Sequence, residues 1–571
     1  MKRPLGAALL TWGLIFASCP GVLLAEGSAL LAAVALVPWG LACGRAAPGS
    51  PGARRTFLGE WLGAAAGCGA LMAWAWYVWP PGVFVIGLGQ GLYATLAGVL
   101  LRRLRPALSL TWAVPLAWVG AETFRAWLPT PPSLGWWRLG HALHGEPWLA
   151  GSARVVGVLG LSFALAAVAG GLAELLHSRR PARALPGLLP LLAAALLARA
   201  VPAPETRPGP RVLLVQPAFP QERKATRTAS PLSNFESSAL LTAQGLAELA
   251  ERGQPPPDLV AWGETMLYVP IVQPGLGAAL EGDLEVDDWY RSVDARWVRS
   301  VLELEEELVG GLLFGRPSPR LPEPAGVLPP GTSFLSGFEL YGSLDGRLRR
   351  WNALAVWDAG GQRSPAVGKT RLVPGAEGLV GLERFAAVRS FTQQVAGYLP
   401  DFAAFDEPGV LELVTRDGER YRFGGSVCFD NAFLAPYTEP LRRGPVDFHL
   451  VVSNEAWYRD SYEMDQMLAF SRLIAIATGR AVVRATNGGL TVVVGPDGRD
   501  LARLVVGGRD RNVPGTLAAQ VPVPRPGEAA ARTPFVRLEP WWQALAILGP
   551  VALAAALRRR DGARNPGSES G

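Results

Sequence analysis

The sequence predicts a polytopic α-helical membrane domain of about eight spans joined to an α/β domain inserted before the last span. Residues 1–200 are dominated by Leu, Ala, Gly, Val and Trp, whereas about 205–525 has ordinary globular composition. Apolar runs of bilayer-crossing length, about 20 residues each, recur near 5–25, 27–45, 57–79, 82–101, 107–127, 155–176, 185–201 and 539–557. Between the last two, strand-like and helix-like runs alternate. At 571 residues, with 49% hydrophobic and 18% charged, the chain reads as a membrane protein carrying a soluble part. The net charge of +6 comes with arginines clustered between apolar runs and not on one basic face. That argues against nucleic acid as a partner.

In chain order, the basic residues alternate with the runs. Lys2/Arg3, Arg45/Arg54/Arg55, Arg102/Arg103/Arg105, Arg179/Arg180/Arg183 and Arg558/Arg559/Arg560 fall on one side, while the turns around Glu26 and Pro80-Pro81-Gly82 carry almost no positive charge. The positive-inside rule then makes both termini cytoplasmic. Seven spans form a bundle over 1–201, and the next residues lie on the outer side. The span at 538–558 returns the chain to a cytoplasmic tail, 559–571. Gly87 and Gly91 in the fourth run are read as a helix-packing pair. The outer loop 128–154 carries Arg138, His141, His144 and Arg154. The head of the chain, ending Phe-Ala-Ser-Cys (16–19), approaches a lipoprotein signal. Pro20 and the spans that follow favour an uncleaved first helix.

A proline-rich linker at 202–210 precedes the outer domain, 211–530. Strand-like runs fall at 211–216, 258–264, 309–315, 352–358, 423–428, 446–453 and 481–486. A last pair at 490–495 and 501–506 brackets Gly-Pro-Asp-Gly. Helical patterns fall at 233–252, 289–308 and 463–478. Residues 303–308 read as a solvated helix side and 317–324 as a surface insertion. The Pro/Gly-punctuated stretches 265–288 and 316–337 are candidate gating loops.

Three reactive groups stand beside strand-like runs: Glu264, Lys369 and Cys428. Cys19, Cys43 and Cys68 lie in the apolar runs, so Cys428 is a lone thiol that has no internal disulfide partner and no thiolate zinc site. Acyl chemistry at a thiol needs a base for its proton and a cation or donor for the developing oxyanion. Glu, Lys and Cys supply these without histidine. The outer domain holds a single histidine, His449, mid-strand and read as packed. Singly, each signal has a plain alternative: a buried structural cysteine, a strand-end carboxylate, a solvated lysine. No metal or organic cofactor is implied.

The order Glu264, Lys369, Cys428 resembles the triad of the nitrilase (carbon–nitrogen hydrolase) superfamily, and the whole chain resembles the apolipoprotein N-acyltransferase family. The likeness rests on Val215-Gln216-Pro-Ala-Phe-Pro220-Gln221, on Lys369-Thr-Arg-Leu-Val-Pro374-Gly-Ala-Glu377, on Asn454-Glu-Ala-Trp457-Tyr and on Ala481-Val-Val-Arg-Ala-Thr-Asn487-Gly-Gly. In the membrane part it rests on Glu122, Arg125 and Pro147-Trp148-Leu. The resemblance implies a nitrilase-like αββα sandwich, with Cys428 the nucleophile, Glu264 the general base and Lys369 the oxyanion stabiliser. Glu377 would support them, with Phe429, Asp430, Asn454 and Trp457 around the site. It further implies a phospholipid acyl donor, a diacylated apolipoprotein acceptor, a lipid bilayer, and a bacterial inner membrane with the catalytic domain on its periplasmic side. Departures from the family pattern are Gly263 for Pro, Phe429-Asp430 for Tyr-Glu, Met467 and Ala477 for His and Glu, and Lys224-Ala-Thr where a tryptophan is usual. A membrane-tethered nitrilase-type amidase, or a catalytically degenerate paralogue, stays open beside the transferase.

Overall fold

A computed structural model of the chain describes residues 2–43, 51–128, 134–220, 231–287, 290–318, 321–379, 382, 385–396, 400–528 and 531–564. Arg45, Gln221 and Lys224, used above, lie outside the described residues, as do 319 and 320 of the surface insertion. The chain divides into two compact units: Met1–Ala203 with Ser461–Gly479 and Arg532–Gly571, and Pro204–Asp460 with Arg480–Ala531.

The first unit is helical. Among the described residues, Pro80–Leu104, Ala153–Ser178, Pro181–Ala200 and Pro534–Arg559 are long and apolar enough to cross a membrane, and Pro4–Ser18 and Ala29–Ala42 are shorter apolar helices. The second expected run is broken into Ala29–Val34 and Val37–Cys43. Helices pack closely where small residues allow it. A Cβ on Gly87 or Gly91 would meet the backbone of Ala65 at 2.5 or 2.8 Å, so both positions serve helix packing as expected. Two buried polar pairs lie within the unit: Arg102 with Glu60 at 2.8 Å, and the Leu110 N–H donating to Glu174 Oε2 at 2.9 Å.

The helix Glu463–Thr478 forms over the residues expected of it, yet it belongs to this first unit and not to the unit holding the strands on either side. Its Gln466 Oε1 accepts from the indoles of Trp74 at 3.2 Å and Trp136 at 2.8 Å. Arg472 pairs with Glu26 and bonds His144 Nδ1 at 3.1 Å. Nearly every residue of this helix is buried, which removes the polar stripe that would have marked its side.

The second unit contains two sheets. One comprises β1 (Thr206–Gln216), β2 (Leu259–Trp262), β3 (Ile271–Val272), β4 (Ser333–Leu344), β5 (Arg347–Trp357), β6 (Val367–Gly368), β7 (Phe402–Ala403) and β14 (Gly515–Pro524), in the order β14-β1-β2-β4-β5-β6, with β3 on β4 and β7 on β5. The other is β13-β12-β11-β10-β9-β8, built from β8 (Gly409–Val414), β9 (Arg420–Val427), β10 (Phe448–Ser453), β11 (Ala481–Thr486), β12 (Val492–Val494) and β13 (Asp500–Arg503). Strand alternation divides the apolar residues between two cores. Val212 and Leu214 of β1 join Leu354, Phe423, Leu450 and Val483 between the sheets. Leu213 and Val215 face the other way, with Phe235 of the Pro231–Glu251 helix and Leu308 and Leu313 of the helical stretch Glu306–Leu313.

Two expectations fail locally. Residues 309–315 are not a strand: the Ala295–Glu305 helix continues through a π-helical stretch, Glu306–Leu313. A short apolar run does not distinguish the two states. The candidate gating loop 316–337 runs into β4, whose first residues follow a proline-rich stretch and are all buried. In 265–288, β3 and the helix Leu276–Glu281 form.

Candidate active site

The sheets carry parallel strands whose carboxyl ends converge: β1, β2 and β4 in one, β9, β10 and β11 in the other. Glu264 comes two residues after β2, Lys369 directly after β6, Cys428 directly after β9, Asn454 after β10 and Asn487 after β11. All five are buried, Lys369 to 1% exposure and Cys428 to 7%.

Lys369 is the hub. Its Nζ donates to Glu377 Oε1 at 2.8 Å and stands 3.6 Å from Glu264 Oε1. Burial alone would depress its ammonium; Glu377, then the Cys428 sulfur and Glu264, outweigh that and hold it above the ordinary lysine range. Glu264, Lys369, Glu377 and Cys428 are therefore brought into one electrostatic cluster. Glu264 is held from both sides: Oε1 accepts from Asn352 Nδ2 at 2.6 Å, and Oε2 from the Asn454 N–H at 2.8 Å. Asn352 Nδ2 also donates to Glu377 Oε1 at 3.1 Å, and the Val373 N–H to Glu377 Oε2 at 2.8 Å. Asn454 Oδ1 accepts from Asn487 Nδ2 at 3.0 Å.

Cys428 opens the turn Cys428–Ala432 with φ of 48°, in the left-handed region that a non-glycine residue enters at a cost of roughly 1–3 kcal/mol. Asp430 ties this turn to the lysine loop, accepting from the N–H groups of Val427 at 3.1 Å, Thr370 at 3.2 Å and Arg371 at 2.9 Å, and from the Thr370 hydroxyl at 2.9 Å. Burial pushes its carboxyl up to about 6, against the pull of Lys369 and these donors. Phe429 is buried edge-on to Phe433, with ring centroids 5.2 Å apart. Trp457, 41% exposed, makes no hydrogen bond to the cluster among the described residues. Met467 and Ala477 sit on the helix of the first unit, fully buried. His449 is a packed strand residue: burial lowers its imidazole to about 3, and its ring stands edge-on to Tyr437.

Asn352 and Asn487 were not among the expected site residues. The one signal for Asn352 is a polar residue inside Trp-Asn-Ala-Leu-Ala-Val-Trp (351–357), a strand otherwise apolar. Gly263 and Gly337 are a second feature. A Cβ on Gly263 would lie 3.0 Å from the Asn487 nitrogen and the Thr486 carbonyl carbon, and one on Gly337 would lie 2.8 Å from Glu264 Cα and from the Thr265 nitrogen. The glycine at 263 thus fits a close crossing of β2 with the ends of β10 and β11. Gly337→Ala is expected to force Glu264 aside and to cost about 1–3 kcal/mol. Thermal unfolding of the purified protein checks this, and an unchanged midpoint would show that the backbone yields freely.

The profile described as the apolipoprotein N-acyltransferase N-terminal domain matches residues 13–171, and that of carbon–nitrogen hydrolases matches 335–530. The chain is 25% identical to an apolipoprotein N-acyltransferase of Rhizobium rhizogenes across 98% of this chain and 99% of that protein. Along its whole length the chain is similar to apolipoprotein N-acyltransferases. A second relative of that name, from Chlorobaculum tepidum, is 26% identical across 78% of this chain and 77% of its own length. The two-sheet unit is accordingly a nitrilase-like, carbon–nitrogen hydrolase domain, and the hydrolase match includes Lys369, Glu377, Cys428, Asp430 and Asn454. Among solved structures, an amidase from Nesterenkonia sp. AN1 is similar at 16% identity, covering 58% of this chain and all of that one, with a TM-score of 0.32.

Proposed function

We propose that this protein moves an acyl chain from a membrane phospholipid to the free α-amine of a diacylglyceryl-cysteine at the N-terminus of a lipoprotein, through a thioester on Cys428. The observation that carries the reading is the buried Glu264–Lys369–Glu377 cluster beside the Cys428 sulfur. In the first half-reaction the thiol proton passes to Glu264 and the thiolate attacks the ester carbonyl. The Lys369 ammonium stabilises the tetrahedral oxyanion. Collapse breaks the ester C–O bond, and lysophospholipid leaves with the proton held by Glu264. The departing alkoxide takes that proton from Glu264. In the second half the neutral amine attacks the thioester and gives its proton to the freed Glu264, the C–S bond breaks, and the leaving thiolate takes the proton back to restore the cysteine.

Eight spans, both termini cytoplasmic and 211–530 held on the periplasmic face of a bacterial inner membrane complete the reading. Both substrates are lipid-anchored, and each methylene kept in the bilayer is worth about 0.8 kcal/mol. A domain seated on the membrane surface therefore avoids lifting either substrate into water. The test is incubation of the full chain with phospholipid and a diacylated lipopeptide. A triacylated peptide, with a transient acyl mass on the protein, supports the transferase. Release of free fatty acid without triacylated peptide would make the chain a hydrolase instead.

Asp430 adds a pH signature. Above about 6 its carboxylate accepts four hydrogen bonds; below that it takes a proton, and one oxygen becomes a donor facing N–H groups. Acyl-enzyme formation from phospholipid, a step without the acceptor amine, is expected to fall as the pH drops through about 6. Asp430→Asn should lower the rate and flatten that step. A step that persists unchanged in the variant assigns the titration to another group.

A further inference from the structure

The helical unit contains a small cavity that the proposed reaction does not use. It has a volume of about 30 Å³ and is lined by Trp12, Tyr93, Trp118, Glu122, Arg125 and Trp137, with alanines between them. Its walls are aromatic and apolar, but Glu122 Oε2 and Trp137 Nε1 are buried with no hydrogen-bond partner among the described residues. Glu122 is 8% exposed and Trp137 3%. The surroundings hold both in place. Glu122 Oε1 accepts from the Leu139 N–H at 2.7 Å and the Trp118 indole at 3.3 Å. Arg125 Nη2 donates to the carbonyls of Trp136 at 2.8 Å and Trp137 at 2.7 Å. Trp137 itself is kept at φ of 46°, a conformation that persists only where its neighbours over-determine it.

We propose that this cavity binds the free hydroxyl of a membrane lipid. A hydroxyl oxygen donates one hydrogen bond and accepts others, so a single atom can donate to Glu122 Oε2 and accept from Trp137 Nε1. An ammonium cannot accept from the indole. A phosphate or carboxylate has no proton for Glu122 and would oppose its charge. Arg125 lines the same cavity and Arg138 interacts electrostatically with Glu122, so Oε2 lacks a donor and the carboxylate does not lack a countercharge. The volume suits a hydroxymethyl group, the room of roughly two waters, and leaves the lipid's chains outside. A surface for them is at hand. Phe84, Leu88, Leu92 and Leu96 form an exposed stripe on the Pro80–Leu104 helix, and Tyr93 and Ala97 of the cavity wall each follow the stripe by one residue. That apolar stripe favours a lipid over solvent as the source of the hydroxyl.

The test uses the full chain in nanodiscs of phosphatidylcholine, which carries no free hydroxyl. The probes are 1-palmitoyl-lysophosphatidylcholine and its 2-O-methyl ether, which keeps the oxygen as an acceptor but cannot donate. Binding is read by native mass spectrometry for the natural sequence and for Glu122→Gln, Trp137→Phe and Cys428→Ala. The lysolipid should bind saturably, its ether at least about tenfold more weakly, and Trp137→Phe, which keeps the ring, should weaken the lysolipid by about as much. A lysolipid is also a product of the proposed reaction; Cys428→Ala removes any covalent acyl adduct from the spectra, and the two cavity variants separate the sites. Lysolipid binding kept in both Glu122→Gln and Trp137→Phe belongs to the reaction site and overturns the proposal. Equal binding of hydroxyl and ether leaves water as the only occupant and overturns it equally.

Discussion

Cys428→Ala is expected to abolish acyl-enzyme formation and lipopeptide acylation, by at least about 10⁴-fold, while the protein still folds. Alanine keeps the buried backbone and removes only the sulfur, in a position 7% exposed at the edge of the inter-sheet core. The expected loss of stability is about 1 kcal/mol or less for an atom that size. Glu264, Lys369 and Glu377 keep their mutual contacts, so the loss reports the nucleophile and not a collapsed site. Intact-mass spectrometry after incubation with phospholipid, with a thermal unfolding curve beside it, measures both quantities. Cys428→Gly sharpens the result. Glycine relieves the φ of 48° and is expected to recover about 1 kcal/mol of backbone strain, giving a protein as stable and equally inactive. Acylation above a hundredth of the natural rate in either variant would remove Cys428 from the mechanism.

Lys369→Met is the second large effect, and it strikes both activity and stability. The ammonium is 1% exposed and lies 2.8 Å from Glu377 and 3.6 Å from Glu264, with Asn352 bridging the two carboxylates. Methionine fills the space and leaves two buried carboxylates with only neutral donors between them. Breaking such a buried arrangement costs about 3–5 kcal/mol, and loss of the oxyanion cation costs about 10²–10³-fold in rate. The sign of the pH dependence follows from the raised ammonium. Its contribution is whole below the ordinary lysine range and is lost only as pH rises through the higher folded value. The natural protein therefore keeps this stabilisation at neutral pH, where the variant has none. Unfolding midpoints that coincide at pH 7 would contradict it.

Glu264 and Cys428 were legible because each ends a strand-like run, and local pattern places strand ends well. Lys369 stands beyond its run, and the three became a site through their order and the motifs around them. Asn352 needed its partners to be noticed, since nothing about an asparagine in a strand announces two carboxylates beside it. Gly337 is hidden for a different reason: the strand that carries it follows a proline-rich stretch, and the sequence there reads as loop. The helix Glu463–Thr478 was legible to the residue, but its unit was not. A helix buried all round carries no stripe to say which core it enters.

Hydropathy along the chain determined that apolar helices flank an α/β domain, and residue chemistry determined that a thiol, a carboxylate and an amine are available without histidine. Those are properties of short segments and survive without knowledge of the fold. Only the tertiary structure decided that the groups meet. The Asn454 N–H reaches Glu264 across 190 residues of sequence, and Asn352 reaches it across 88. Such contacts are set by strand order and register within each sheet, and by the sheets meeting face to face. Many local patterns are compatible with many registers, and burial of the shared core selects one.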